Sequence, residues 1–145
     1  MKKLLLVIFI ASSYFSQSQT VVHINAGSRA SWGKYQNLMI NVRGRVTYHH
    51  IEVNGRVLDS SSFSITKAQL DSFLLKAEQV GFFSLKEKYD GGMTDGAGIM
   101  ISLNSAGKIK SVQLKNTDVP QVNELIAWLN RVLQPNRIRL YYGQK

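Results

Sequence analysis

The residues best equipped for chemistry lie between Glu87 and Gly98. Glu87, Asp90 and Asp95 are near enough in sequence to form an acid/base pair with raised and lowered pKa values, with Tyr89 or His50 to assist. That would be hydrolase-type chemistry. The same run, Asp90-Gly-Gly-Met-Thr-Asp95-Gly-Ala-Gly98, also reads as a turn, because Asp hydrogen-bonds its own backbone two residues on and Gly accepts positive φ. The turn needs no convergent cleft and is the simpler account. The glycines lack the spacing of a dinucleotide fingerprint or a P-loop, and no lysine follows them. A calcium loop would need further oxygen ligands at alternate positions.

His49 and His50 are adjacent on an expected strand, so they point to opposite faces and cannot chelate one ion together. His23 is too remote in sequence to be paired with either. Zinc takes three or four convergent ligands, and the chain has no cysteine. Neither a metal nor a cofactor is expected, and disulfide and thiol chemistry are excluded. No serine sits in a Gly-x-Ser-x-Gly elbow. The balance goes against an enzyme, with no catalytic residues beyond the three carboxylates. A binding surface is the other possibility: Trp32 and Tyr35 lie in a Gly/Ser-rich stretch flanked by Arg29 and Lys34, and aromatic and Arg side chains are the usual interface anchors. Alternatively Trp32 closes one end of the core.

The elements that must position these residues are organised around one helix. Thr66 and Gln69 form a capping box, and Ile65 and Leu70 are spaced as a hydrophobic staple. Leu70, Phe73, Leu74, Ala77 and Val80 make an apolar stripe, and Gly81 stops the helix. Phe82, Phe83, Leu85 and Tyr89 then supply core beneath it. Before the helix, Val21–Ile24 reads as a short strand and 25–37 as a loop. Leu38, Ile40 and Val42 alternate with polar neighbours as a strand, and Gly44 turns the chain. Val46–Val53 returns, Asn54-Gly55 signals a hairpin, Arg56–Leu58 is a strand, and Asp59–Ser62 reads as a polar connector. Later, Ile99, Ile101 and Leu103 pair with Ile109 and Val112–Leu114 across an Asn104–Gly107 turn. Asp118 and Gln121 repeat the capping-box pattern with Pro120 in the first turn, opening a second amphipathic helix that ends near Pro135. Arg137–Tyr142 alternates as an edge strand with a basic outer face, the other reading being a tail.

Residues 1–18 carry two lysines, an apolar run from Leu4 to Ala11 and small residues Ser16 and Ser18 before Gln19, the pattern of a secretory signal peptide. The run is too short to span a bilayer. Export to the periplasm or the extracellular space is expected, with residues 19–145 as a single domain. Loss of Lys2 and Lys3 takes the formal charge from +9 to +7. This favours an acidic exported protein or an anionic envelope component as partner. The basic residues form no run of five, and no nucleic-acid target is expected.

Ser31-Trp-Gly33, Leu38–Val42, Gly44, Val46 and Tyr48, the helix from Thr66, Gly81-Phe82-Phe83-Ser-Leu85, Tyr89, Thr94-Asp95, Gly107-Lys-Ile-Lys and Pro120 together resemble a domain-of-unknown-function family. Its members are exported or lipid-anchored proteins of Gram-negative bacteria. They often carry a Cys-aromatic-Gly-x-Cys-Pro segment, in whose place this chain has Ser31-Trp32-Gly33-Lys34-Tyr35-Gln36. Any disulfide or redox role of that segment is therefore not carried over. The resemblance implies an α+β domain of unassigned function.

The architecture expected is α+β: an antiparallel sheet of about four to six strands with two amphipathic helices packed on one face. The functional expectation is an exported, non-catalytic binding or adaptor domain of unknown ligand. The alternative is a hydrolase using the carboxylates of the 87–95 loop.

Overall fold

Alternation of apolar and polar residues writes much of this molecule as strands, and a computed structural model, described for residues 19–28, 33–92 and 97–140, places them in one sheet. In chain order the elements are β1 (Thr20–Ser28), β2 (Lys34–Asn41), β3 (Arg45–Glu52), β4 (Val57–Ser64), α1 (Lys67–Gln79), β5 (Lys88–Asp90), β6 (Ala97–Ser105), β7 (Lys108–Lys115) and α2 (Pro120–Leu133). Short 3-10 turns follow each helix, at Phe82–Ser84 and Gln134–Asn136. The seven strands run in the order β4-β3-β2-β1-β6-β7-β5. Every pairing is antiparallel except that of β5 with β7. Among the described residues the fold is thus α+β with two helices, and the sheet is larger than the four to six strands expected.

The strand not expected is β5, and polar stretches lengthen β1, β2 and β4 beyond their expected bounds. The expected loop 25–37 is largely the end of β1 and the start of β2, with Asn25 opposite Asn37 and Gly27 opposite Tyr35. Its loop-like composition is a strand alternation in which Ala26, Gln36 and Leu38 are buried while the Asn, Gly and Tyr residues take the other face. The expected connector Asp59–Ser62 lies within β4, an edge strand whose serines face water. Here pairing with β3 outweighs a weak intrinsic preference.

One face of the sheet carries Val22, Ile24, Leu38, Ile40, Val46, Ile99, Ile101, Val112 and Leu114, all buried. These form one cluster with Leu70, Phe73 and Ala77 of α1 and Val122, Leu125 and Leu129 of α2. Phe73 and Trp128 join the helices with ring centroids 5.5 Å apart. α1 begins with the expected capping box: Thr66 Oγ1 accepts the Gln69 N–H at 3.1 Å and Gln69 Oε1 accepts the Thr66 N–H at 2.9 Å. Gly81 ends it at φ 76°. Phe82 is fully buried, and Phe83, Leu85 and Tyr89 pack against the core.

Three local expectations need correction. The N-cap of α2 is Val119, not Asp118, and it makes no side-chain cap bond. Pro120 at the first helical position starts the helix one residue later than the Asp118/Gln121 pattern requires. Ile109 is 75% exposed, because the register that buries Val112 and Leu114 turns it outward. Finally, Arg137 has φ 57°, and residues 138–140 form no strand. Ile138 and Leu140 are buried instead, with the Asn130 side-chain amide accepting the Leu140 N–H at 2.7 Å and donating to its carbonyl at 2.9 Å. That amide supplies what a neighbouring strand would have supplied. Positions 141 and 142 lie outside the described residues.

Candidate functional site

The face opposite the helices is largely polar, and no described helix packs on it. By register it presents His23, Asn25 and Gly27 on β1, Tyr35, Asn37 and Met39 on β2, and Thr47, His49 and Ile51 on β3. β6 and β7 add Gly98, Met100 and Ser102, then Ser111, Gln113 and Lys115.

At one end this face is hollowed. Gly27 pairs with Tyr35 on one side and Gly98 on the other. A Cβ on Gly27 would stand 2.7 Å from both the Lys34 carbonyl oxygen and Tyr35 Cβ, and one on Gly98 would stand 2.9 Å from the Leu114 carbonyl oxygen. The strands therefore approach closely only because both positions lack side chains. The result is an open groove of about 910 Å³ whose lining includes Tyr35, Lys34, Val53, Met100, Gln113 and Lys115. Ala26, Ile99 and Leu114 also line it, and since their side chains are buried on the other face they contribute main chain. The Gly33 carbonyl accepts the Val53 N–H, which ties the β3–β4 turn to the groove. Chemically this is an aromatic and apolar wall, amide donors from Asn25 and Gln113, and the Lys115 ammonium, while Lys34, on the strand face of Gln36 and Leu38, brings its main-chain carbonyl. No carboxylate is among the described lining residues. Glu52 is the β3 neighbour of Lys34, and Asp90 is the β5 neighbour of Lys115.

Of the residues expected to bind, Lys34 and Tyr35 meet in this groove, while Arg29 and Trp32 lie outside the described residues. Of the expected carboxylates, Asp90 accepts the Gly92 N–H on Oδ1 at 2.9 Å, which is the turn geometry. Glu87 is exposed, and its main-chain carbonyl accepts the Gln113 N–H at 2.8 Å. Tyr89 accepts the Lys86 N–H on its hydroxyl at 3.1 Å. Asp95 lies outside the described residues. His50 sits on β3, five positions across the sheet from β5, so it does not approach Glu87 or Asp90. His49 and His50 do fall on opposite faces, with His49 opposite Asn37 and His50 opposite Gln36. Among the described residues no three His, Asp or Glu side chains converge.

Sequence reasoning missed Gly27, Gly98, Met100, Gln113 and Lys115. The period-two alternation of 22–28 was a usable signal, but glycine and asparagine masked it. It also missed that His23 shares a face with His49, which only the strand order reveals.

The fold and groove define a class: an α+β domain with a helix-covered apolar face and an open polar one. The chain belongs to the DUF6438 family, a domain of unknown function, whose model matches residues 34–133. No curated protein matches it. The matched span runs from the first residue of β2 to the last of α2, leaving out β1, the strand at the centre of the sheet. Among the described residues no helix is long and apolar enough to cross a membrane.

Proposed function

We propose that this chain is an exported, non-catalytic binding or adaptor domain that takes an anionic envelope partner into the groove at the Gly27–Gly98 end of the open face. The observation that carries this reading is the groove itself: Tyr35 and Met100 offer apolar contact beside Lys115. Export rests on the signal-peptide pattern of residues 1–18, and the periplasm or the extracellular space follows from it. The partner is an exported protein or an anionic envelope component, drawn by the net charge of +9, or +7 after cleavage. Nothing in the geometry of Glu87 and Asp90 favours the hydrolase alternative.

The test is retention of envelope and medium components on wild-type protein and on Tyr35→Ala and Lys115→Glu variants, washed at low and high salt. A component held by wild type at high salt and lost from both variants supports a groove that buries surface. Retention that vanishes equally from all three at high salt leaves charge as the sole cause and sinks the groove.

A further inference from the structure

At the groove, one row of paired residues crosses the open face from β7 to β4. Lys115 stands opposite Gly98, Gly98 opposite Gly27, Gly27 opposite Tyr35, Tyr35 opposite Ile51 and Ile51 opposite Val57. Cross-strand partners share a face, so the row reads along the surface as a cation, two bare positions, an aromatic ring and two aliphatic side chains. Val53 widens the apolar end, where it lines the groove with Tyr35. Val53 is 69% exposed and Val57 53%, and the exposed Leu58 lies at the same hairpin. Single exposed aliphatics need no explanation, but a group of them running into a groove marks a contact surface.

The floor decides what can lie there. β1 and β6 are paired on both sides, so the main-chain groups of Gly27 and Gly98 already serve the sheet. Of the amides beside them, Asn25 is engaged with Asn37 and His23. A peptide or sugar chain laid across this floor would turn polar groups onto a surface with few partners to offer. A hydrocarbon chain needs none and gains from the apolar end. At the other end Lys115 offers an ammonium to an anion, and the carboxylate of neighbouring Asp90 is turned to the Gly92 N–H at 2.9 Å. From Lys115 to Val57 is five strand spacings, about 24 Å. An extended hexadecanoyl chain is about 20 Å long, given C–C bonds of about 1.5 Å in a zigzag, and the flexible lysine stem covers the remainder. Cation and apolar end lie along the surface rather than one above the other, which suits a single molecule lying flat and not a bilayer.

We infer that this row binds a single-chain anionic lipid, its head group on Lys115 and its chain over Gly98 and Gly27 to Tyr35, Ile51 and Val57. The inference rests on the groove reading above and names the chemistry of the partner. It is tested by calorimetry of untagged protein with octanoate, dodecanoate and hexadecanoate below their micelle concentrations, with dodecanol as the uncharged control, alongside Lys115→Gln and Val57→Asp. One equivalent of hexadecanoate should bind. Affinity should rise about twofold per added CH₂, since an open groove covers one side of a chain and full burial gives roughly fourfold. Lys115→Gln should weaken all three acids by a similar factor of about ten, as for a hydrogen bond to a charged group. Val57→Asp should weaken hexadecanoate by about fivefold or more and leave octanoate, too short to reach it, within about twofold. Both positions are on the open face, and equal thermal unfolding midpoints would confirm that both variants fold. Dodecanol binding as tightly as dodecanoate, an equal effect of Val57→Asp on the long and short acids, or uptake by phosphatidylglycerol vesicles without binding of monomeric hexadecanoate would each overturn the inference. If no fatty acid binds while an envelope component is still held at high salt and lost from Tyr35→Ala, this inference falls and the groove reading stands. If both fail, the groove falls with it.

Discussion

The two faces of this sheet are built from the same strands under opposite constraints. On the covered face each position answers to volume: Ile24, Leu38, Ile101 and Leu114 are sealed beneath the helices, where any void or excess atom is felt. On the open face each position answers to hydrogen bonding and reach, so Asn25, Asn37, His23, Ser102 and Ser111 form side-chain pairs across the strands, Ser102 and Ser111 at 2.7 Å. A face that owes nothing to the core is free to carry polar groups in register. That freedom is what places a groove and hydrogen-bonded polar pairs there.

β1 serves both faces, and removing it is the most severe test of the comparison. The family match begins at Lys34, but β1, which joins the β2 and β6 edges and carries the buried Val22, Ile24 and Ala26, lies before it. A chain starting at Lys34 should show no cooperative unfolding by circular dichroism in urea. A cooperative transition from that shortened chain would mean β2 and β6 can close the sheet without β1. Next in size is a contrast within the intact chain. Phe73→Ala should cost about 3–5 kcal/mol, since Phe73 is fully buried against Trp128. Gln113→Ala, on the open face, should change stability by no more than about 0.5 kcal/mol. Similar losses at the two sites would show that the open face is covered after all.

Gly27 tests where the two faces meet. Gly27→Ala drives a Cβ to 2.7 Å from the Lys34 carbonyl oxygen, which is backbone and cannot swing aside. The strands must part, at about 1–3 kcal/mol by analogy with overpacked cores. Chemical denaturation measures this loss. An unchanged midpoint would mean β1 and β2 have slack at the groove, and with it that the groove's shape is not fixed by its glycines.

How much of this was legible beforehand varies with the physics of each element. α1 was readable to the residue because a cap, a stripe and a stop glycine are local signals that agree. β4 and the ends of β1 and β2 were not, because a serine- or asparagine-rich strand is made by its neighbours rather than by its own preference. Lys34 and Tyr35 were picked out for their types, yet the groove they line depends on Gly27 and Gly98 being cross-strand partners. No local pattern encodes that pairing. The shared face of His23 and His49 was invisible for the same reason, since it rests on β1 entering between β2 and β6.

The smallest effect sharpens the helix starts that cover one face. Both helices carried the same capping signature in sequence, but only Thr66 uses it, accepting the Gln69 N–H while Asp118 stands outside a helix that begins at Val119 and Pro120. Thr66→Ala removes a formed cap bond and should cost about 1 kcal/mol. Asp118→Ala removes only a charge near the positive end of α2, an exposed interaction that should be worth less than about 0.5 kcal/mol and fade with added salt. Urea titrations of the two variants at low and high salt separate the cases. A loss at Thr66 should persist in salt because it is a hydrogen bond. If Asp118→Ala costs as much as Thr66→Ala and resists salt, then Asp118 caps the helix in solution and Pro120 does not set its start.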